Sequence, residues 1–564
     1  MRWLEPNNSQ GLELNPPADV PAAIWRILAN RGITSREEID QLYNPKLKDL
    51  AHPFSIDQMD VAVRRLIRAR ENQENILIYA DYDLDGTPGL ALLYDGLTRL
   101  GFNHISLYQP SRLKEGYGLH AKVVQDFAKS GVSLIVTVDV GITDLEAVNL
   151  ANQLNIDVIV TDHHLPKDTL PSALAILNPN KGTCSSKLQH LCGAGVAFYL
   201  VLALKMELSQ KKLLATEFDA KELLDLFALA TITDMVPMIK ENRVLVKHGL
   251  KQLAKTTRPG LSRLFSELGF YNKNLSSVDV AFRIAPKLNA LTRLEAEVKA
   301  IDVFLATEKN AKSLIDEVLI INQKRVLFQE QAKKIAQELL QNSPQDNLVW
   351  IHSKDFHPGV ISLLASELMN TYQVPAFVGA VHEGGKIIGS ARSPSEHFNL
   401  QEILTSASSV LKKFGGHKLA AGFELNESDI EPFLNLMNAH LTQEKTRAKE
   451  EPAVQIDAEV KLSELDLNFM RWYEGLGPFG VQFEVPKLAL KRAKVHAVKQ
   501  LKGGYLKYTL EQSGLFIEAP WFSSPTEFPK ELRVDVLFEP QYNEFRGQKT
   551  IQALIHSMRP ALDS

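Results

Sequence analysis

The chain reads as an α/β protein: a lobe on a parallel sheet, a long connecting helix, a smaller α/β lobe and a C-terminal β-barrel. Three observations predict this. Short β-branched runs at 75–80, 134–138 and 158–161 alternate with helical stretches, the pattern of a buried parallel sheet. Between Pro286 and Pro344 there is neither Gly nor Pro, and Ala, Leu, Glu, Lys and Gln dominate from about Glu295. From about Ala453 onward, runs such as 505–510 and 533–538 read as short strands.

At 564 residues the chain is too long for one core. We divide it into a mixed N-terminal segment (1–70), the first α/β lobe (71–290), the long helix (291–343), the second lobe (344–445) and the barrel (453–564). In the N-terminal segment, a helical pattern over 21–29 precedes Ser35-Arg-Glu-Glu38, a capping-box start for another helix. In the first lobe, Thr87-Pro88 is expected to open a helix, with Thr as N-cap and Pro in first position. The Gly- and Pro-free stretch has helical composition over roughly 45 residues, or about 65 Å. It lacks a sustained heptad, so a strut with at most one break fits better than a coiled coil. In the second lobe, His357-Pro-Gly359 opens a helix, and Gly384-Gly385 and Gly415-Gly416 read as turns. Charged residues 443–451 read as a linker.

Composition narrows the class. With 45% hydrophobic and 23% charged residues the chain resembles a soluble globular protein. A net charge of −4 means that any phosphate-binding surface must be local. Two cysteines, Cys184 and Cys192, make neither a disulfide framework nor a four-ligand zinc site, and read as buried thiols. The N-terminus lacks a signal-peptide pattern, and no apolar run approaches the roughly 20 residues of a membrane span. A cytoplasmic protein is expected.

The chemistry sits at the strand ends. The run 75–80 leads into Asp81-Tyr-Asp83-Leu-Asp85, the run 134–138 into Asp139, and the run 158–161 into Asp162-His163-His164. Ligands of open α/β sheets bind beyond the carboxyl ends of the strands. Unpaired carboxylates there would repel one another, so a cation is needed to hold them. Asp83 and Asp85 flank a tight turn, and Asp139 and His163 arrive from neighbouring strands. A mixed carboxylate and imidazole set suits Mn²⁺ or another first-row ion better than Mg²⁺. Five or more ligands make two ions plausible, a pair able to activate water and clamp a phosphoryl ester.

These segments also carry a resemblance. Asp162-His163-His164 looks like the signature of the DHH phosphoesterase family, and the wider pattern resembles its RecJ single-stranded-DNA exonucleases. Supporting segments are 81–86, Pro110-Ser-Arg112, Glu115-Gly-Tyr-Gly-Leu119, Thr137-Val-Asp-Val-Gly141, 191–198, Thr233-Asp-Met-Val-Pro237, Glu241-Asn-Arg243, His357-Pro-Gly-Val360, Gly389-Ser-Ala-Arg-Ser393 and Gly415-Gly-His417. The resemblance implies a DHH-type lobe, a DHHA1-type lobe and an OB-fold. It implies metal ligation by Asp81, Asp83, Asp85, Asp139, His163 and Asp234, with Asp139 bridging two Mn²⁺ (or Mg²⁺) ions and taking part in catalysis. His164 would be a donor or general acid beside the phosphate. Arg112, Arg293, Ser390, Arg392, Gly416 and His417 would hold phosphate, and Tyr505 and Trp521, among Lys491, Lys494, Lys499, Lys502 and Lys507, would contact DNA through the barrel. The implied activity is 5′→3′ hydrolysis of single-stranded DNA to nucleoside monophosphates, in repair and recombination. Its implied setting is a monomer working with a helicase and a single-strand-binding protein. The chain departs from the family pattern at Leu84, Pro88-Gly89, Lys287, Thr292, Ser362, Glu367 and 481–486, none of them an implied ligand. A small-substrate phosphoesterase would need neither strut nor barrel, and a decayed DNA-binding scaffold would have lost ligands that are present here.

Overall fold

The architecture comes from a computed structural model, which describes residues 2–5, 16–214, 218–270, 273–341, 347–445, 453–501, 504–522, 533–545 and 548–561. Lys502, Ser343-Pro344 and most of the expected linker lie outside the described residues. Strand β1 (Arg2–Leu4) and the helix Ala22–Asn30 belong with the far end of the chain and return below. Ser35 and Glu38 form the expected capping box at the helix Arg36–Tyr43.

The first lobe is a five-stranded parallel sheet of β2 (Asn75–Ala80), β3 (Ile105–Tyr108), β4 (Val132–Val138), β5 (Asp157–Thr161) and β6 (Ala175–Leu177). Their order is β3-β2-β4-β5-β6. The chain leaves β2 on one side to form β3 and returns on the other as β4, so the switch point lies between β2 and β4. Both faces are buried: Ile76, Ile78, Leu134 and Val136 on one, Leu77, Tyr79, Ile135 and Val158 on the other. That double burial is why the strands read as continuous apolar runs. The helix after β2 spans Gly86–Arg99 with Asp85 at its N-cap, two residues earlier than Thr87-Pro88 suggested. Thr87 instead lies inside the first turn, where its hydroxyl donates to the Tyr82 carbonyl and accepts from Gln109 Nε2.

The stretch expected as one helix with at most one break is interrupted twice, after Arg293 and again between Phe304 and Ala311. A short helix, Ala300–Phe304, is followed by the 30-residue helix Ala311–Leu340, about 45 Å long. At the second interruption, the Thr307 N–H and hydroxyl both donate to Asn310 Oδ1. The second lobe has the order β10-β11-β9-β8-β7, from β7 (Val349–Ser353), β8 (Ala376–His382), β9 (Lys386–Arg392), β10 (Lys413–Gly416) and β11 (Ala420–Asn426). Only β7 and β8 pair in parallel. Gly384 and Gly385 form a turn with positive φ as expected. Gly415 and Gly416 do not form one: they end edge strand β10. Gly416 is required sterically, because a Cβ there would lie 2.5 Å from the Ala420 carbonyl oxygen. The helix Ile430–Lys445 runs into the segment read as linker.

The C-terminal part begins with β12 (Ala453–Gln455), which pairs in parallel with β1. It continues with β13 (Ala458–Val460), β14 (Leu488–Gln500), β15 (Leu506–Gln512), β16 (Leu515–Trp521), β17 (Arg533–Phe545) and β18 (Gln548–Pro560). The order β14-β15-β16-β18-β17, with β17 pairing back to β14, closes a five-stranded barrel. The N-terminal helix is part of its core, since Ile24, Trp25, Ile27 and Leu28 pack with Leu488, Tyr508 and Phe538. Trp521 lies in that same core, only 5% exposed, and is corrected from a DNA contact to a packing residue. It shares strand parity with buried Ile517 and Ala519, so the period of two points it inward.

Arg243 fastens the barrel segment to the first lobe. Its guanidinium donates to the Pro478 (2.8 Å), Gly477 (3.3 Å) and Leu476 carbonyls and lies 4.0 Å from the Phe483 ring centroid. Removing it leaves several buried carbonyls without their charged donor. Arg243→Ala is expected to cost about 3 kcal/mol and to release the 476–483 segment to protease at lower temperature. Calorimetry with limited proteolysis checks this, and an unchanged melting profile would refute it.

Candidate metal centre and phosphate site

The strand ends at the switch point bring the carboxylates together. Asp81 follows β2, Asp139 follows β4, and Asp162, His163 and His164 follow β5. Asp139 adopts a positive φ of 63°, which turns its side chain back over the sheet end. Gly193 allows this, because a Cβ there would come within 2.5 Å of Asp139 Cβ. Asp234 enters from the C-terminus of the helix Leu224–Thr233.

His163 Nε2 is the centre of the group. It lies 3.2 Å from Asp139 Oδ1, 3.6 Å from Asp234 Oδ2 and 3.8 Å from Asp85 Oδ2. Asp81, Asp83 and Asp139 form a second converging set, with ligand atoms all within 4.8 Å of one another. Two sets sharing Asp139 are thus adjacent. The fit to a cation shows in the hydrogen bonding. Asp81 Oδ1, Asp139 Oδ1, His163 Nε2 and Asp234 Oδ2 are buried without a hydrogen-bond partner, a costly state unless something binds there. Asp83 and Asp85 are anchored instead: Asp83 Oδ1 accepts from the Asp85 and Gly86 N–H groups, and Asp85 accepts from those of Gly193 and Ala194.

Charge follows geometry. Burial and the Asp83 carboxylate push Asp81 up to about 8, while burial and the Asp85 and Asp83 charges take Asp234 to about 8. Burial and the Asp85 charge also raise Asp139 well above the carboxylate range. Burial holds His163 below its usual value and so keeps it neutral, the form that ligates metal. For His164 burial is outweighed by its 2.8 Å hydrogen bond to Asp162 and that group's charge, which lift the imidazole to about 9. Asp162 is a positioning residue. Its carboxylate accepts from the Ile142, His163 and His164 N–H groups as well as from the His164 ring, which fixes both histidines. Tyr117 adds a hydroxyl 3.1 Å from His164 Nδ1 and 3.3 Å from the Asp139 carbonyl oxygen. Sequence reasoning quoted the 115–119 segment without giving Tyr117 a role.

Cations gather at the junction of the lobes. Arg293 is depressed to about 9, first by burial and then by Arg112, Arg392 and Arg325. Its guanidinium donates to Ser362 Oγ at 2.7 Å, and Arg392 donates to Ser390 Oγ at 3.0 Å. Arg112 lies 5.9 Å from the Tyr82 ring centroid, between Asp81 and Asp83 in sequence, which ties the arginines to the acidic cluster. Gly416 sits opposite Ala421, itself opposite Ala391, so it is two strands, about 10 Å, from the Arg392 strand. His417 is exposed in the adjoining hairpin. Ser362, a departure from the family pattern, turns out to hold Arg293. Glu367, another departure, is neutralised by Lys333 of the long helix. On the barrel, Tyr505 is exposed and meets exposed Phe522 edge-on, with ring centroids 5.4 Å apart.

The chain resembles known proteins over nearly its whole length. Residues 75–231 match the DHH family N-terminal domain, 345–443 the DHHA1 domain and 456–557 the RecJ OB domain. The chain is 31% identical to the single-stranded-DNA-specific exonuclease RecJ of Haemophilus influenzae, over 95% of this chain and 96% of that one. The chain belongs to the RecJ family. The crystal structure of Thermus thermophilus RecJ in complex with Mn²⁺ superposes with a TM-score of 0.83 at 27% identity, covering all of this chain and 80% of that one. The Mg²⁺ complex of RecJ from the same organism gives 0.77 at 26% identity, covering 100% and 79%. Thermus thermophilus RecJ thus has structures with either divalent ion bound. No helix among the described residues is long and apolar enough to cross a membrane.

Proposed function

We propose that this protein is a divalent-metal-dependent exonuclease that degrades single-stranded DNA from the 5′ end and releases nucleoside monophosphates. The observation that carries the reading is the buried, partnerless set of Asp81, Asp139, His163 and Asp234 atoms beside a cluster of arginines. Asp81, Asp83, Asp85, Asp139, His163 and Asp234 would hold two Mn²⁺ or Mg²⁺ ions, with Asp139 shared. Bound there, the ions supply an activated water and charge stabilisation at the phosphoryl oxygens.

The residues of the chain do the rest. Arg112, Arg293 and Arg392, with Ser390, grip the terminal phosphate through planar donor forks, and Gly416 and His417 complete that end. His164, protonated at neutral pH, offers its Nε2 proton to the phosphate or to the departing oxygen, while Asp162 and Tyr117 fix its ring. Tyr505 and Phe522 offer stacking faces where the strand crosses the barrel. An acceptable substrate must enter between the lobes, which selects single strands over the wider duplex. A helicase that opens duplex and a single-strand-binding protein are natural partners in repair and recombination, with the enzyme acting as a cytoplasmic monomer.

The direct test is digestion of a 5′-labelled strand with Mn²⁺, with EDTA, and with blunt duplex of the same sequence. Labelled mononucleotide released only from the single strand and only with metal is expected. Equal attack on duplex, or release first from the 3′ end, would overturn the assignment.

A further inference from the structure

We propose that the helical run leading into Arg293 is the track on which the entering strand lies, with Phe282 as a stacking platform for one of its bases. This rests on the nuclease reading above and names a contact that the reading does not supply.

Phe282 is 74% exposed, and Val278, one turn before it, is 46% exposed. Among the large apolar side chains of the described residues only Leu165 is more exposed than Phe282. The backbone there is also unusual. Val280–Ile284 is a π-helical turn in which the Ala285 N–H donates to the Val280 carbonyl. Pro286 explains it: proline has no N–H to give the Phe282 carbonyl, and its ring clashes there in a regular helix. Such turns are frequent at functional sites.

Position and charge say what lies on this surface. The spacing of 278, 282, 286, 289 and 293 puts these residues along one side of the run, with Arg293 at the inner end. From Phe282 to Arg293 is about 16 Å, room for roughly two to five nucleotides. Cations flank the same path. Lys287 lies within electrostatic reach of Arg325 and Arg283, and Arg325 within reach of Arg293. Arg325 donates to neutral Gln329 and Asn322, whereas Arg283 is held by Asp279. An aromatic face at the outer end of a lane of positive charge suits a single nucleic-acid strand.

The test compares a 20-nucleotide strand with the dinucleotide pdTpdT, using the whole Mn²⁺-loaded enzyme. For Phe282→Ala the ratio of kcat/KM on the strand to that on the dinucleotide should fall about tenfold, the worth of one stacked base, mainly through KM. Phe282→Trp should keep or raise the ratio. An unchanged ratio in the alanine variant, or an equal loss with tryptophan, would overturn the track and leave Phe282 to a protein partner. Strand affinity by fluorescence anisotropy, with the same variants, decides the question independently of cleavage. A parent enzyme that binds strand but cuts neither substrate would instead sink the nuclease reading.

Discussion

Asp139→Asn should lower metal-dependent mononucleotide release at least about 10³-fold while raising the melting temperature of the metal-free protein. Asp139 is the residue shared by both converging sets, and its Oδ1 is buried without a hydrogen-bond partner. Neutralising it weakens the hold on metal, whose charge stabilisation is worth several kcal/mol, and each 1.36 kcal/mol is tenfold in rate. Without metal the same group is a liability, crowded by the Asp85, Asp83, Asp234 and Asp81 charges. Asparagine tolerates the positive φ at this position, so the substitution changes charge without adding backbone strain. Single-strand digestion in Mn²⁺ and thermal unfolding in EDTA read the two effects. Activity within tenfold of the parent, or a lower melting temperature, would contradict the assignment.

Metal and pH should be linked strongly. In the folded, metal-free protein burial and neighbouring carboxylates push Asp81 and Asp234 up to about 8 from the ordinary 3.8 of an aspartate. Across pH 4 to 8 the folded form therefore holds more protons than the unfolded one, and stability falls as pH rises. His164, raised to about 9, extends the loss from about 6.5 to 9. His163, lowered, has the opposite sign, with a contribution lost as pH falls through its folded value and the unfolded 6.5, below most of this window. Metal displaces the carboxylate protons, so the gain in melting temperature from saturating Mn²⁺ should grow by at least about 5 °C between pH 6 and pH 8.5. Scanning fluorimetry at four pH values with EDTA or Mn²⁺ measures it. A gain independent of pH would mean that the carboxylates are already ionised without metal.

The cluster of carboxylates and histidines at the strand ends was legible because most of its parts are local. An apolar run ending in a carboxylate is visible in any window of eight residues, and parallel strands must align such ends on one edge. Asp234 was different: it lies on a helix end whose approach to His163 depends on helix packing, and only the family pattern pointed to it. Trp521 was misread because its neighbours Lys507 and Tyr505 suggested a DNA surface, although strand parity with Ile517 and Ala519 already pointed inward. Gly415-Gly416 was read as a turn because glycine pairs usually make one. The close approach of the Ala420 carbonyl, which actually demands Gly416, is a cross-strand fact. Ser362 stood out only as a departure from the family pattern and not as a partner of Arg293, because the docking of two lobes brings the two together.

The union of the N-terminal helix with the barrel has a consequence for how the chain is made. Arg26 bonds Glu464, a residue 438 positions later. At about 5–20 residues per second, roughly 20–90 s of synthesis separate the two. Throughout that interval Ile24, Trp25, Ile27 and Leu28 have no barrel to cover them. The nascent chain thus presents an uncovered apolar stretch from its first half-minute, while the first lobe can fold beside it. A ribosome stalled before the barrel emerges would release a product with a finished metal lobe and an adhesive N-terminus, prone to aggregate.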